Sequence, residues 1–343
     1  MDRTPSNDAS PVACLLRDRS HVAKREYQSE ENRGRFARRP SEIPRRGWKD
    51  IFFRVKEEIA KDNLSMIAAG VTFYVFLSIF PALAALVALY GLVTDPADLQ
   101  EHIKTVEAVL PGEAAQLLNQ ELSRLVRSQG QTLGWSLVVS ILIALWSAAK
   151  GMKSMFESMN VAYDEEEKRG FLKLNGMALL LTLAGIVFLI LFLGLIVGVP
   201  ALLASVPFGH VAAALLKWLR WPLLAVAGMF ALAILYRYGP SRDKPRWRWI
   251  SWGAVIATVI WLLGSALFSF YVSRFASYNA TYGSLGVVVI LMMWLLLSVY
   301  SILLGAEINA EMEHQTLQDT TEGGEQPMGR RGAHVADTVG EGR

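Results

Sequence analysis

Cysteine is all but missing from this chain: of 343 residues only Cys14 carries a thiol. An intramolecular disulfide is therefore excluded, and so is a cluster of thiolate metal ligands. Histidine is sparse too. The five imidazoles, His21, His102, His210, His314 and His334, are scattered along the sequence and show no metal-ligand spacing. Glycine-rich phosphate loops, a nucleophile elbow and a clustered Asp and His set are absent, which removes the usual signatures of nucleotide-binding enzymes, hydrolases and metal-dependent nucleases. The expectation is a non-enzyme with no cofactor and no metal. The first thirty residues also lack the basic-then-apolar layout of a secretory signal, so the first apolar helix is expected to direct insertion itself.

Charge is scarce as well. Charged residues make up 19% of the chain against 52% apolar, and long internal windows carry none. Six apolar stretches, about 64–93, 133–152, 172–199, 214–236, 250–272 and 284–306, are each long enough to cross roughly 30 Å of hydrocarbon at about 1.5 Å per residue. The expected fold is all-α, a polytopic membrane protein with six transmembrane helices and both termini on one side. Lys and Arg choose that side: 28 lie in the tails and in loops 150–173 and 237–249, against 4 in the opposite loops, with Lys217 and Arg220 near the entrance to the fourth span. Both termini are expected in the cytoplasm.

Around this transmembrane domain, residues 64–311, the sequence divides simply. Residues 1–46 are rich in Arg, Pro and Ser without an apolar period and are expected to be disordered. Residues 47–63 place Trp48, Ile51, Phe52, Val55 and Ile59 at helical spacing among Lys49, Arg54, Lys56 and Lys61, the pattern of an amphipathic helix on a membrane surface. In the first external loop, Leu99 to Leu125 read as two short amphipathic helices around Pro111 and Gly112. Residues 312–343 are polar and Gly-rich, and a second disordered cytoplasmic tail is expected there.

Candidate working residues follow from what hydrocarbon penalises. Glu307, about 23 residues into the last span counted from Ser284, belongs at the inner interface. It is either a plain headgroup-level carboxylate or one half of a polar lock or gate with a cation ending another span, Lys150, Lys153 or Arg237. Gly70, Tyr74, Ser78 and Pro81 share one face of the first span, where Pro81 removes a helix hydrogen bond; Tyr74, Ser78 and Pro81 either line a cavity or mark an ordinary kink. Asn160, Tyr163 and Arg169 suit a cytoplasmic elbow. Gly194 with Gly198, and Ser136 with Ser140, allow close helix approach. Trp48, Trp247, Trp249 and Trp252 read as interfacial anchors, with the neighbouring Arg residues facing anionic lipid at the cytoplasmic side. The implied partner is the bilayer and not a specific nucleic acid; a homo-oligomer is left open.

Four stretches resemble a known family: AAGVTFYVFLSIFPALAAL in the first span, MNVAYDEEEKR after the second, LYRYGPSRD after the fourth, and YGSLGVVVILMMWLLLSVYSILLGAEINAE around the sixth. They are similar to the YihY/BrkB inner-membrane proteins, some of which carry the older label ribonuclease BN. The likeness runs from about Trp48 to Glu311 and leaves out both tails. It implies a six-helix protein of the bacterial cytoplasmic membrane, in a family linked by name to virulence and serum resistance. The residues give the ribonuclease label no support. The expected role is transport or gating of a small or amphipathic molecule, a lipid or envelope precursor among them, and the alternative is a non-transporting scaffold or regulator of the envelope.

Overall fold

A backbone in hydrocarbon must satisfy its own hydrogen bonds, so uncharged runs of this length become helices. The computed structural model describes residues 28–93, 133–205, 210–274 and 284–342, with side chains described for all but helix stretches 80–93, 133–137, 197–205 and 210–217 and a few single positions. The expected external-loop helices between Leu99 and Leu125 fall outside these residues. In chain order the helices are α1 (Arg45–Lys61), α2 (Leu64–Val93), α3 (Leu133–Ala162), α4 (Phe171–Ser205), α5 (His210–Tyr238), α6 (Trp247–Arg274), α7 (Ser284–His314) and the short α8 (His334–Asp337). Among the described residues there is no strand; one isolated bridge joins Pro245 and Thr321.

Four segments are long and apolar enough to cross a membrane: Phe171–Ile196, Trp221–Tyr238, Trp247–Ser273 and Val288–His314. A fifth exists if α1 and the start of α2, bent by 62° at their junction, are one broken span. The chain is thus an all-α, multi-pass membrane protein, with four or five such crossings among the described residues where the sequence suggests six. The bend is built by Asp62, which ends α1, and Asn63, whose φ of 52° is a left-handed conformation that Asn tolerates better than most side chains.

Among the described residues, the main core lies at the tail end of the helices. The core joins Leu64, Ala68 and Val71 of α2, Met155 and Met159 of α3, Tyr236 of α5, Ile250, Ala254 and Ala257 of α6, and Val299, Leu303, Ala306 and Ala310 of α7. Each of these lies in the half of its helix nearest the tails. Beyond Thr258 in α6, and before Val299 in α7, no described residue is buried. A glycine crossing holds the packed half together. Added to Gly253, a Cβ would collide with the Asn309 side chain and the Gly305 carbonyl; on Gly305 it would meet the Tyr236 hydroxyl. Asn309 ties the crossing by accepting the Gly253 N–H at 2.9 Å.

The described parts of both tails depart from the sequence expectation, residues 1–27 of the first lying outside the described residues. Residues 28–46 fold onto the packed end, where Arg35, Ala37 and Ile43 are buried, and residues 315–342 cover the same end with Gln315, Thr316 and Thr320 fully buried. Polar composition suggested disorder because it offers little apolar surface. The burial is instead supported by hydrogen bonds: the Leu317 N–H reaches the Arg35 carbonyl, far away in sequence, at 2.8 Å, and within the C-terminal segment the Arg331 guanidinium donates to the carbonyls of Leu317, Gln318, Gln326 and Ala336. The first and last described segments therefore meet on one face.

Candidate functional site

The polar groups that the spans exclude are gathered at the tail end. The last turns of α7 present Glu307, Asn309, Glu311 and Glu313, all buried. Glu311 is held by Arg54 of α1, whose guanidinium also donates to the Gln315 side chain at 2.7 Å and to the Glu341 carbonyl at 3.0 Å. Glu313 and Arg242 form an ion pair at 2.6 Å, wholly removed from solvent, with Arg242 4.9 Å from the centre of the Tyr163 ring. Burial works to lower the Arg242 pKa; the charge of Glu313 and its hydrogen bond outweigh that and raise it, so the guanidinium stays ionised.

A second knot lies beside it, in the turn between α3 and α4. Asn160 accepts the Ser241 N–H at 2.7 Å and donates to Glu167 at 3.1 Å, while Arg169 pairs with Glu167 at 2.6 Å and donates to the Gly239 carbonyl at 2.9 Å. Burial raises the Glu167 carboxyl, but the bonds from Arg169 and Asn160 prevail and hold it down to about 2. Asn160, Tyr163 and Arg169 are thus brought together, tying the α3–α4 turn to the α5–α6 turn. Tyr163 is fully buried, and desolvation pushes its phenol up, keeping it neutral.

Glu307 is placed differently from the lock suggested by sequence. None of its three proposed cations engages it: Lys150 lies over the Trp146 ring, Lys153 donates to Asn175 at 2.9 Å, and Arg237 pairs with Glu322 of the C-terminal segment. The physical reason is local, since each cation finds an acceptor or a ring at its own helix end. Glu307, 2% exposed, instead meets Asp62 of the α1–α2 turn at hydrogen-bonding reach, with Glu58, Asp164 and Glu311 as its other charged neighbours.

The remaining candidates separate. Tyr74 is 46% exposed on α2, and the Ser78 hydroxyl is used locally, on the Val75 carbonyl at 2.7 Å. Pro81 lies within α2, and its side chain falls outside those described; the same holds for Gly198, Ser136 and Ser140. Gly194 has open space where a Cβ would stand, so the close approach is made at Gly253 and Gly305 instead. Of the four tryptophans, Trp48 and Trp252 face each other with ring centres 6.2 Å apart, and Trp247 stacks on Phe230 beneath Arg237. Trp249 is no interfacial anchor: it is fully buried with Ile51, Val55 and Met312, because two positions along a helix turn it away from the face of Trp247. Sequence reading also passed over Arg35, Arg54, Asp62, Arg242, Asn309 and Glu313. The only signal was the Asp62-Asn63 step, a helix stop between two periodic runs.

Comparison with known proteins adds a lineage. The family model described as Virulence factor BrkB matches residues 55–329. The ribonuclease-like protein YfkH of Bacillus subtilis (strain 168) is 34% identical over 248 residues, 71% of this chain and 88% of that protein. Shorter stretches match UPF0761 membrane proteins. One from Idiomarina loihiensis is 32% identical over 102 residues, 30% of this chain and 36% of its own length. Another, from Vibrio cholerae serotype O1, is 36% identical over 100 residues, 28% and 33% of the two chains. No solved structure matches.

Proposed function

The chain belongs to the virulence factor BrkB family, and we propose that it acts in a bacterial inner membrane, tails in the cytoplasm, as a gated path for a small or amphipathic molecule such as a lipid or envelope precursor. The observation that carries this reading is the packing of α6 and α7, which bury residues in their tail-end halves and none of the described residues beyond. A bundle closed at its tail end by Leu303, Tyr236 and the Gly253–Gly305 crossing, with no described residue buried past Thr258 in α6 or before Val299 in α7, suits a path sealed on that side. The spans carry few charges, which suits a neutral or amphipathic cargo better than a relay of carboxylates through the bilayer. On this reading Tyr74, half exposed on α2, is a residue that would touch it.

The bilayer is the natural partner of this surface. Phe52 and Phe53 of α1 and Phe171 and Leu172 of α4 are exposed, and Arg248 is crowded by Arg246, Arg39 and Arg38, a basic patch suited to anionic headgroups. One observation favours a second reading. The folded platform made by residues 28–46 and 315–342 offers a protein-facing surface, as a non-transporting scaffold or regulator would need.

Reconstitution separates the two. In liposomes the purified chain should move a fluorescent lipid or a small neutral solute, and Tyr74→Ala should slow that movement without changing the amount inserted. Absence of any flux from a folded, inserted chain would favour the scaffold. The purified chain is not expected to cleave RNA.

A further inference from the structure

The C-terminal segment holds the tail end at two places, with a bare loop between them. The first is 315–321, where Gln315, Thr316, Thr320 and Thr321 are buried. Its Leu317 N–H donates to the Arg35 carbonyl at 2.8 Å, and its Thr316 hydroxyl to the Ala37 carbonyl at 2.7 Å. The second is 331–342, which carries α8. That short helix packs on α7, and its Val335 belongs to the main core with Leu64 of α2, Met159 of α3, Tyr163 and Ala310 of α7. Polar contacts surround it. Glu165 of the α3–α4 turn accepts the His334 N–H at 2.6 Å, and the Gly332 carbonyl accepts the Asp243 N–H of the α5–α6 turn at 3.1 Å. The Gly340 N–H donates to the His314 carbonyl at the end of α7 at 2.9 Å, and Arg54 of α1 to the Glu341 carbonyl at 3.0 Å. One short stretch therefore reaches α1, α7 and both turns.

Between the two anchors every residue from 322 to 330 is exposed. Gly323 and Gly329 adopt φ values of 113° and 87°, and nothing stands within 4 Å of a Cβ built on either, so the loop can swivel there without disturbing packed neighbours. What α8 withdraws from the apolar interior is small: Ala333, Val335 and Ala336. The clasp is Arg331, which donates to the Leu317 carbonyl of the first anchor at 2.9 Å and to the Ala336 carbonyl of α8 at 2.7 Å. We propose that residues 331–342 are a removable plug. Seated, α8 completes the tail-end core with Val335 and keeps the path closed; lifted on the 322–330 loop, it opens that end while 315–321 stays docked. This rests on the path reading above and adds its regulation. Segments that move in such switches come from the weakly held end of a structure, and a short helix with one core side chain on an exposed, glycine-jointed loop is of that kind. The α8 helix also lies past residue 329, where the family match ends, as a regulatory addition to a shared core would.

Two measurements keep plug and path apart. Hydrogen exchange on the full chain in nanodiscs, corrected for intrinsic rates, should release the His334 and Gly340 amides at least about tenfold faster than the Leu317 amide, because the plug opens alone. Equal rates would mean that the segment opens as one piece, which overturns the plug and leaves the path standing. The second measurement is flux in liposomes. A chain ending at Gly332 keeps Arg331 on the first anchor and loses α8; full-length Val335→Asp keeps α8 but drives a carboxylate into the apolar core. Each should pass the fluorescent lipid or small neutral solute several-fold faster than wild type, so the test survives if one of them fails to fold. A peptide of residues 333–343, added to the shortened chain at the millimolar level that a short tether supplies, should bring its rate back toward wild type. Wild-type rates in both variants overturn the plug with the path intact. No movement by any of the three chains overturns the path, and the plug's role with it.

Discussion

Single residues at the tail end carry unequal weight. Arg242 and Glu313 are fully buried against each other, and Thr320 donates to the same carboxylate at 2.7 Å. Glu313→Ala leaves a guanidinium without its counter-charge in a dry site and should cost roughly 3–5 kcal/mol of stability, read from denaturation in detergent micelles. Lys61→Ala removes an exposed pair and should cost at most about 1 kcal/mol in the same assay. Glu167 ties stability to acid pH. Its lowered carboxyl contributes stability that is fully present above the ordinary value of 4.5 and lost as pH falls through about 2. Acid should therefore loosen the α3–α4 turn in the wild type, and the slope should flatten in Glu167→Gln, measured by thermal unfolding across that range.

At the level of elements, small residues matter only where another backbone arrives. Gly253 and Gly305 sit where α6, α7 and the Tyr236 hydroxyl of α5 converge, whereas nothing stands within 4 Å of a Cβ built on Gly194 in α4. Gly305→Ala should destabilise by about 1–3 kcal/mol through overpacking, detected as a lower unfolding temperature. Gly194→Ala should leave stability unchanged or raise it by up to about 1 kcal/mol, because Ala is the better helix former. The α1 helix shows the same dependence on context. Its apolar stripe is divided, Ile51 and Val55 entering the core with Trp249 and Met312 while Phe52 and Phe53 stay outside. A periodicity argument identifies the stripe but not which part of it meets protein and which meets lipid.

Across the whole molecule, the two tails close one end of the bundle as a joint structure. Arg35 and Arg54 of the N-terminal side donate to main-chain carbonyls and to Gln315 on the C-terminal side, and Arg246 donates to the Thr321 carbonyl at 2.8 Å. A chain ending at His314 should lose the docking of residues 28–61 as well as the deleted segment. Trypsin would then cut within residues 33–61 several-fold faster than in the full chain, while the spans stay protected. Equal cutting rates would mean that the segments are independent.

Much of this molecule could be read before any coordinates. Uncharged runs in a lipid solvent have no alternative to helix, so α2, α4, α6 and α7 follow from composition and length, and the Asp62-Asn63 step marks where α1 stops. Glu307 and Glu311 lie near the end of α7, buried where the tails pack. Partners could not be read. Whether Glu307 meets a cation or Asp62, whether Trp249 faces lipid or core, and whether polar tails fold all depend on contacts between residues up to some three hundred positions apart, such as Arg35 and Gly340. Composition describes the solvent that each segment prefers; which buried charge pairs with which is decided only when packing brings the helix ends and the tails to the same place.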